Sequence, residues 1–275
     1  MSIRESVCAN HYYPGDRGVL KQNVLSFLAG APVSEDMIEK TRAGLLKGIV
    51  VPHGGYVYSG GVAASGFGLL KFLDKSVKWK VLLVGPSHHV PFMGAAPYRE
   101  GIWKSPLGSV AVNDIRDEQE VGENSDEFFL DVTEAHKAEH SLEVQLPFLQ
   151  SVLSSFVVYP LILGNLRADF LADRLADFVK RDDVIVVVSS DLSHHLPFEE
   201  ALKIDEATVT SIAQMKTDEV IERGDACGLL GILAMMMWAE NFSWSPKVLD
   251  YKNSGHTTSD KNSVVGYCSI AFMKP

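Results

Sequence analysis

The chain reads as a single α/β domain over residues 1–275, with a central mixed, mostly parallel sheet flanked by helices on both faces. Three observations predict this. Aliphatic runs recur at 48–51 (GIVV), 81–84 (VLLV), 156–163 (FVVYPLIL) and 184–190 (VIVVVSS), the pattern of buried strands that feed loops. Segments of helical spacing alternate with them, and the chain closes on two successive β-rich segments, which argues for a sheet of mixed direction. No repeat, low-complexity tract or Pro/Ser-rich linker divides the sequence.

The elements follow in order. RGVLKQNVLSFLAG at 17–30 is amphipathic and stops at Gly30, a first helix. A strand through Ile49–Val51 leads to His53, and SGGVAASGFGLLKFL then forms a helix whose small residues allow close packing on the sheet. A second strand, Val81–Val84, delivers GPSHH. Residues 91–114 are rich in Gly and Pro with short apolar alternation, a β-hairpin excursion. EHSLEVQLPFLQSVL predicts a helix that starts at Glu139 and His140, with Pro147 as a kink or boundary. The strand at 156–163, a helix over 167–181, the strand ending in Ser189–Ser190, and helices near 198–215 and 225–240 come next. PKVLDYKNS and VVGYCSIAFMK are expected to pair antiparallel.

A formal charge of −10 argues against a broad nucleic-acid surface or an anionic membrane as partner. The first residues hold no apolar signal core, and the apolar stretch LLGILAMMMWA is too short to span a bilayer. Three cysteines without CxxC spacing make neither a disulfide framework nor a zinc knuckle. A cytoplasmic protein is the expectation.

Chemistry concentrates in four histidine-bearing turns. His53 lies between Pro52 and Gly54–Gly55, where the chain can turn sharply. GPSHH places His88 as a metal ligand or proton carrier, with His89 structural; Ser87 lacks the second glycine of a GxSxG elbow. SSDLSHH sets Asp191 and His194 three apart, a pairing suited to orientation and proton transfer, although Ser190 or Asp191 could equally cap a helix. AEHSLEVQLPF brings Glu139, His140 and Glu143 together, without the HExxH order of zinc peptidases. Cys227 opens an apolar helix, where a helix N-terminus favours the metal-binding thiolate. Met235, Met236 and Met237 are core filler.

PHGGYVYSG, GPSHH, EHSLEVQLPFLQ, SSDLSHH, DACG and the closing YKNSG…VVGY, with HYYPGD near the start, occur in the order of the Memo family, which this chain resembles over nearly its whole length. That family is similar in fold to the catalytic subunit of class III extradiol dioxygenases, which hold non-haem iron(II) on two histidines and a carboxylate. The resemblance implies a metal triad of His53, His88 and Cys227, and an acid/base pair of Asp191 and His194. The family's PHAGY is PHGGY here. Cysteine stands where the dioxygenases have a carboxylate, so iron, copper and zinc are all compatible, and oxidoreductase activity stays open. Glu139 and His140 are expected to line the cleft wall. Two uses follow from the resemblance: metal-dependent redox chemistry on a small molecule, or a binding module for a ligand or peptide. Tyr12, Tyr13 and Tyr56 are candidate aromatic walls for the second. The sequence says nothing of oligomeric state.

Overall fold

A computed structural model describes residues 2–118 and 128–275. Its strands are β1 (Ser2–Arg4), β2 (Leu46–Val51), β3 (Trp79–Pro86), β4 (Ala95–Pro97), β5 (Gly101–Ser105), β6 (Gly108–Val112), β7 (Phe156–Leu163), β8 (Val184–Ser189), β9 (His194–Leu196), β10 (Ser245–Asn253) and β11 (Val264–Met273). All belong to one mixed sheet of order β1-β5-β6-β7-β3-β8-β2-β11-β10, with β4 added to β7 and β9 to β11. The central run β7-β3-β8-β2 is parallel, and the closing strands β10 and β11 pair antiparallel, as expected.

The helices are α1 (Arg17–Gly30), α2 (Glu35–Arg42), α3 (Tyr56–Leu70), α4 (Thr133–Lys137), α5 (Leu146–Val152), α6 (Ala168–Val179), α7 (Phe198–Ala213), α8 (Thr217–Arg223) and α9 (Leu229–Phe242). Because side chains alternate across a strand, the aliphatic runs serve two cores at once. Ile49, Val51, Val81, Leu83, Ile185 and Val187 face the layer of α1, α3 and α5. Val50, Leu82, Val84, Val186 and Val188 face the layer of α6 and α9. This is why the strands read as unbroken apolar runs.

Several boundaries differ from expectation. The helix predicted from Glu139 is displaced: α4 ends at Lys137, Glu139 and His140 lie in the following turn, and a 3-10 turn at Glu143–Gln145 leads into α5. Pro147 sits in the first turn of α5, where its missing N–H costs nothing, so it starts a helix and kinks none. The helix after Cys227 begins at Leu229, because 225–228 form a turn tied to the 189–191 loop through Cys227 N–H to Asp191 O (3.2 Å). Neither Ser190 nor Asp191 caps a helix; His194 enters the short strand β9 instead. α2 and α8 are short helices beyond those predicted.

Parallel pairing places one end of β2, β3 and β8 side by side, with Val51 opposite Ser189 and Val84 opposite Val188. The segments carrying His53, His88 and Asp191 therefore leave the sheet at a common edge, where open α/β sheets bind ligands.

Candidate metal centre

His53 is buried and held on three sides. Its backbone N–H donates to Asp191 Oδ1 (2.7 Å), joined by Gly54 N–H (3.2 Å). Its Nδ1 lies 2.9 Å from Ser189 Oγ and its Nε2 3.2 Å from Cys227 Sγ. Gly54 is required by packing: a Cβ there would come within 2.8 Å of the Tyr267 ring. His88 is fixed by a carboxylate. Glu139 Oε1 takes His88 Nδ1 at 2.8 Å, and Oε2 takes the His88 backbone N–H at 2.6 Å.

One nitrogen from each of His53, His88 and His140 can be chosen so that all three lie within 4.8 Å of one another. The rings of His88 and His140 stack at 4.6 Å, and Tyr12 stacks on the outer face of His140 at 4.4 Å. Tyr12, a candidate aromatic wall, therefore packs directly on His140. His140, expected on the wall, joins the metal-competent cluster. Its Nδ1 is buried without a hydrogen-bond partner, 3.3 Å from Glu139 Oε1 but out of line with it. Cys227 touches this cluster from the His53 side and is not part of the mutually close set of three.

Glu139 also departs from the expected wall position. It is buried, and its carboxylate is saturated by His88 and by the backbone N–H groups of His140 (3.0 Å) and Ser141 (2.9 Å). Despite burial, these bonds hold its pKa well below the usual carboxylate range. Tyr13 and Tyr56 are core residues: both are buried, Tyr13 Oη–H donates to Glu143 Oε1 (2.7 Å) and Tyr56 Oη–H to Val144 O (2.6 Å). The i,i+4 partner of His140, His136, faces elsewhere and bonds Ala96 O at 3.0 Å.

Asp191 is buried with Oδ2 4.0 Å from His53 Nε2, and burial raises its pKa against the pull of its two N–H donors. His194 is half-buried at the start of β9; among the described residues no hydrogen bond joins it to Asp191. Cys227 reverses the expectation of a thiolate poised by the helix. Burial pushes its pKa up to about 12, and the Asp191 charge adds to that, outweighing the nearby backbone N–H groups. Without a metal it is a thiol. Ser87 donates its Oγ–H to Val90 O (2.6 Å), shaping the turn that carries His88.

Burial lowers the pKa of His53 and His140 to about 3 and of His136 to about 4, from 6.5. All three are neutral at physiological pH. The unfolded chain binds protons at these sites below pH 6.5 and the folded chain does not, so their contribution is intact above that pH and lost as pH falls. Asp191 works the other way, losing stability as pH rises, and offsets part of the effect. Between pH 7.5 and 5.5 the histidines together cost roughly 4 kcal/mol before that offset. Denaturant titrations of metal-free protein should show the midpoint falling across this interval. A flat profile would mean that the imidazoles titrate in place.

Ser189 and Gln145, which surround His53, carried no signal in sequence: neither titrates, and they lie in a strand and a 3-10 turn far from His53. A family model described as Memo-like protein matches residues 4–271. The chain belongs to the Memo family. It is similar to a MEMO1 family protein of Aquifex aeolicus, 31% identical over 99% of this chain and 100% of the relative. It is also similar to one of Thermoplasma acidophilum, 32% identical over 99% of each chain. A third, from Sulfolobus acidocaldarius, is 35% identical over 81% of each.

Proposed function

We propose that this Memo family protein holds one redox-active metal ion, iron or copper, on His53, His88 and Cys227, with His140 beside them, and uses it on a small molecule. The carrying observation is the convergence of three imidazoles at one sheet edge, one of them 3.2 Å from a thiol sulfur. That separation suits two ligands of one ion, since metal–nitrogen and metal–sulfur bonds are about 2.0–2.3 Å. The orphaned His140 Nδ1 also fits, because a buried imidazole nitrogen with no partner is costly unless something binds there. Imidazole with thiolate favours iron, copper or zinc over hard cations. A bound iron or copper would supply electron exchange and Lewis acidity.

The chain's own groups do the rest. Asp191, with its raised pKa, can hold a proton at Oδ2 next to His53, and His194 is the proposed general base at the cleft mouth. A cavity of about 270 Å³ opens beside Cys227, between the His88 turn and the start of α9. Val90, Phe92, Leu163 and Leu230 line it without any charged side chain, which suits a small uncharged molecule. A second reading, a binding module for a ligand or peptide, draws on another depression of about 620 Å³ near Tyr12, with Val57 and Tyr58 exposed on its rim. Among the described residues no helix is long and apolar enough to cross a membrane, and a cytoplasmic site of action belongs to the proposal.

Metal analysis of protein purified without oxygen tests the centre. About one equivalent is expected, and Cys227→Ser should weaken copper(I) by tenfold or more while changing manganese(II) little. If His140→Ala empties the site while Cys227→Ser leaves it filled, three imidazoles are the ligands and the cysteine assignment fails. Iron-loaded wild type that consumes no oxygen across a catechol panel would favour the binding reading.

A further inference from the structure

The hydrogen bonds around Ser189 account for every proton, and this decides which nitrogen of His53 is free. Gln145 Nε2 lies 3.0 Å from Pro52 O and 2.8 Å from Ser189 Oγ. A carbonyl only accepts, so the amide must present NH₂ to Pro52, and its second hydrogen goes to Ser189. The single proton of Ser189 Oγ is spent on Ser141 O at 2.5 Å. The remaining neighbour of that oxygen is His53 Nδ1 at 2.9 Å. With no hydrogen left on the hydroxyl, this contact is a hydrogen bond only if Nδ1 carries the proton. Gln145, Ser189, Ser141 and His53 are all at most 2% exposed, so water cannot substitute for any partner.

We infer that Gln145 and Ser189 are positioning residues that lock His53 as its Nδ1–H tautomer and so present the Nε2 lone pair to the cleft. There it accepts from the Cys227 thiol or, on the proposed reading, binds the metal. His88 receives the same service from Glu139, whose carboxylate takes its Nδ1–H. The two histidines are thus oriented by different chemistry, an anion at His88 and a neutral relay at His53. The neutral relay spares His53 a carboxylate at Nδ1, and Asp191 stays on the opposite side of the ring at Nε2. Ligand histidines in general depend on such a partner for ring orientation and basicity.

The lock itself does not require metal, whereas its use rests on the metal-binding reading, and the experiment separates the two. Long-range ¹H–¹⁵N NMR of metal-free wild-type protein should give His53 a protonated Nδ1 and a bare Nε2. Ser189→Ala should release it to a tautomer mixture and lower iron(II) affinity about tenfold. Ser189→Thr should restore both, and Gln145→Leu should lie between. A wild-type Nε2–H tautomer, or Ser189→Ala retaining a single Nδ1–H form, overturns the inference. So does a melting-temperature loss in Ser189→Ala with the tautomer unmoved, which marks a merely structural role. If the wild-type tautomer is as stated and iron(II) does not bind, the lock stands and the metal reading falls.

Discussion

His53→Ala is expected to empty the proposed metal centre. Removing only an orienting partner typically costs 10–100-fold in affinity, so loss of the ligand itself should exceed about 100-fold. His53 stands at the middle of the constellation: its ring lies 5.1 Å from that of His88 and 5.3 Å from that of His140, and its Nε2 faces Cys227. Glu139 cannot replace it, being saturated, and Asp191 Oδ1 is engaged by backbone N–H groups, which leaves Asp191 Oδ2, 4.0 Å from His53 Nε2, as a poorer substitute. Metal content by mass spectrometry and competitive titration reads the effect directly. The variant should also lose stability less steeply between pH 7.5 and 5.5, since one buried imidazole is gone. A full equivalent of tightly held metal in His53→Ala would remove His53 from the ligand set.

Arg4→Ala is expected to cost roughly 3–5 kcal/mol, because it leaves a buried carboxylate without its cation. Arg4 pairs with Glu143, which is fully buried, and donates to His136 O (2.7 Å) and Glu139 O (2.8 Å) while lying 4.5 Å over the Trp103 ring. Glu143 also gathers Ser6, Val7, Cys8 and Tyr13. The amino-terminal segment is thereby clamped to the turn that carries Glu139 and His140. At about 2–4 °C per kcal/mol, thermal unfolding should begin about 10 °C lower. Glu143→Gln added to Arg4→Ala should regain part of the loss, since the stranded charge is then removed. Metal affinity should fall with stability, because the Glu139 turn is no longer held. An Arg4→Ala protein as stable as wild type would make the clamp energetically idle.

What could be read from the sequence follows from locality. A strand's apolar run, the Gly or Pro that ends it and the histidine two or three residues later are neighbours in the chain. His53, His88 and Asp191 could therefore be placed at strand ends before any geometry was known. The α1 boundary at Gly30 and the antiparallel closing pair were legible for the same reason. Glu139 and His140 were legible as chemistry but misplaced as the start of a helix. Local spacing around them is helical, yet the bonds to His88 and Arg4 hold them in a turn. Tyr13 and Tyr56 are walls only on the binding use that the family resemblance implies; packing of Tyr56 against Phe148 and the bond of Tyr13 to Glu143 place both inside.

By itself the sequence determined the α/β class, the alternation that feeds two cores, and the donor types available for a site, since each depends on residue identity and short-range period. Tertiary structure decided which donors meet. The family resemblance already grouped Cys227 with His53, and the structure sets them 3.2 Å apart; tertiary structure alone brought Glu143 to Arg4 across 139 positions and Ser189 to His53 across 136. It also decided protonation. The Cys227 thiol is raised and the His53 imidazole lowered by the same cause, removal from water. Desolvation is a property of the packed interior, and no local pattern of residues encodes its extent.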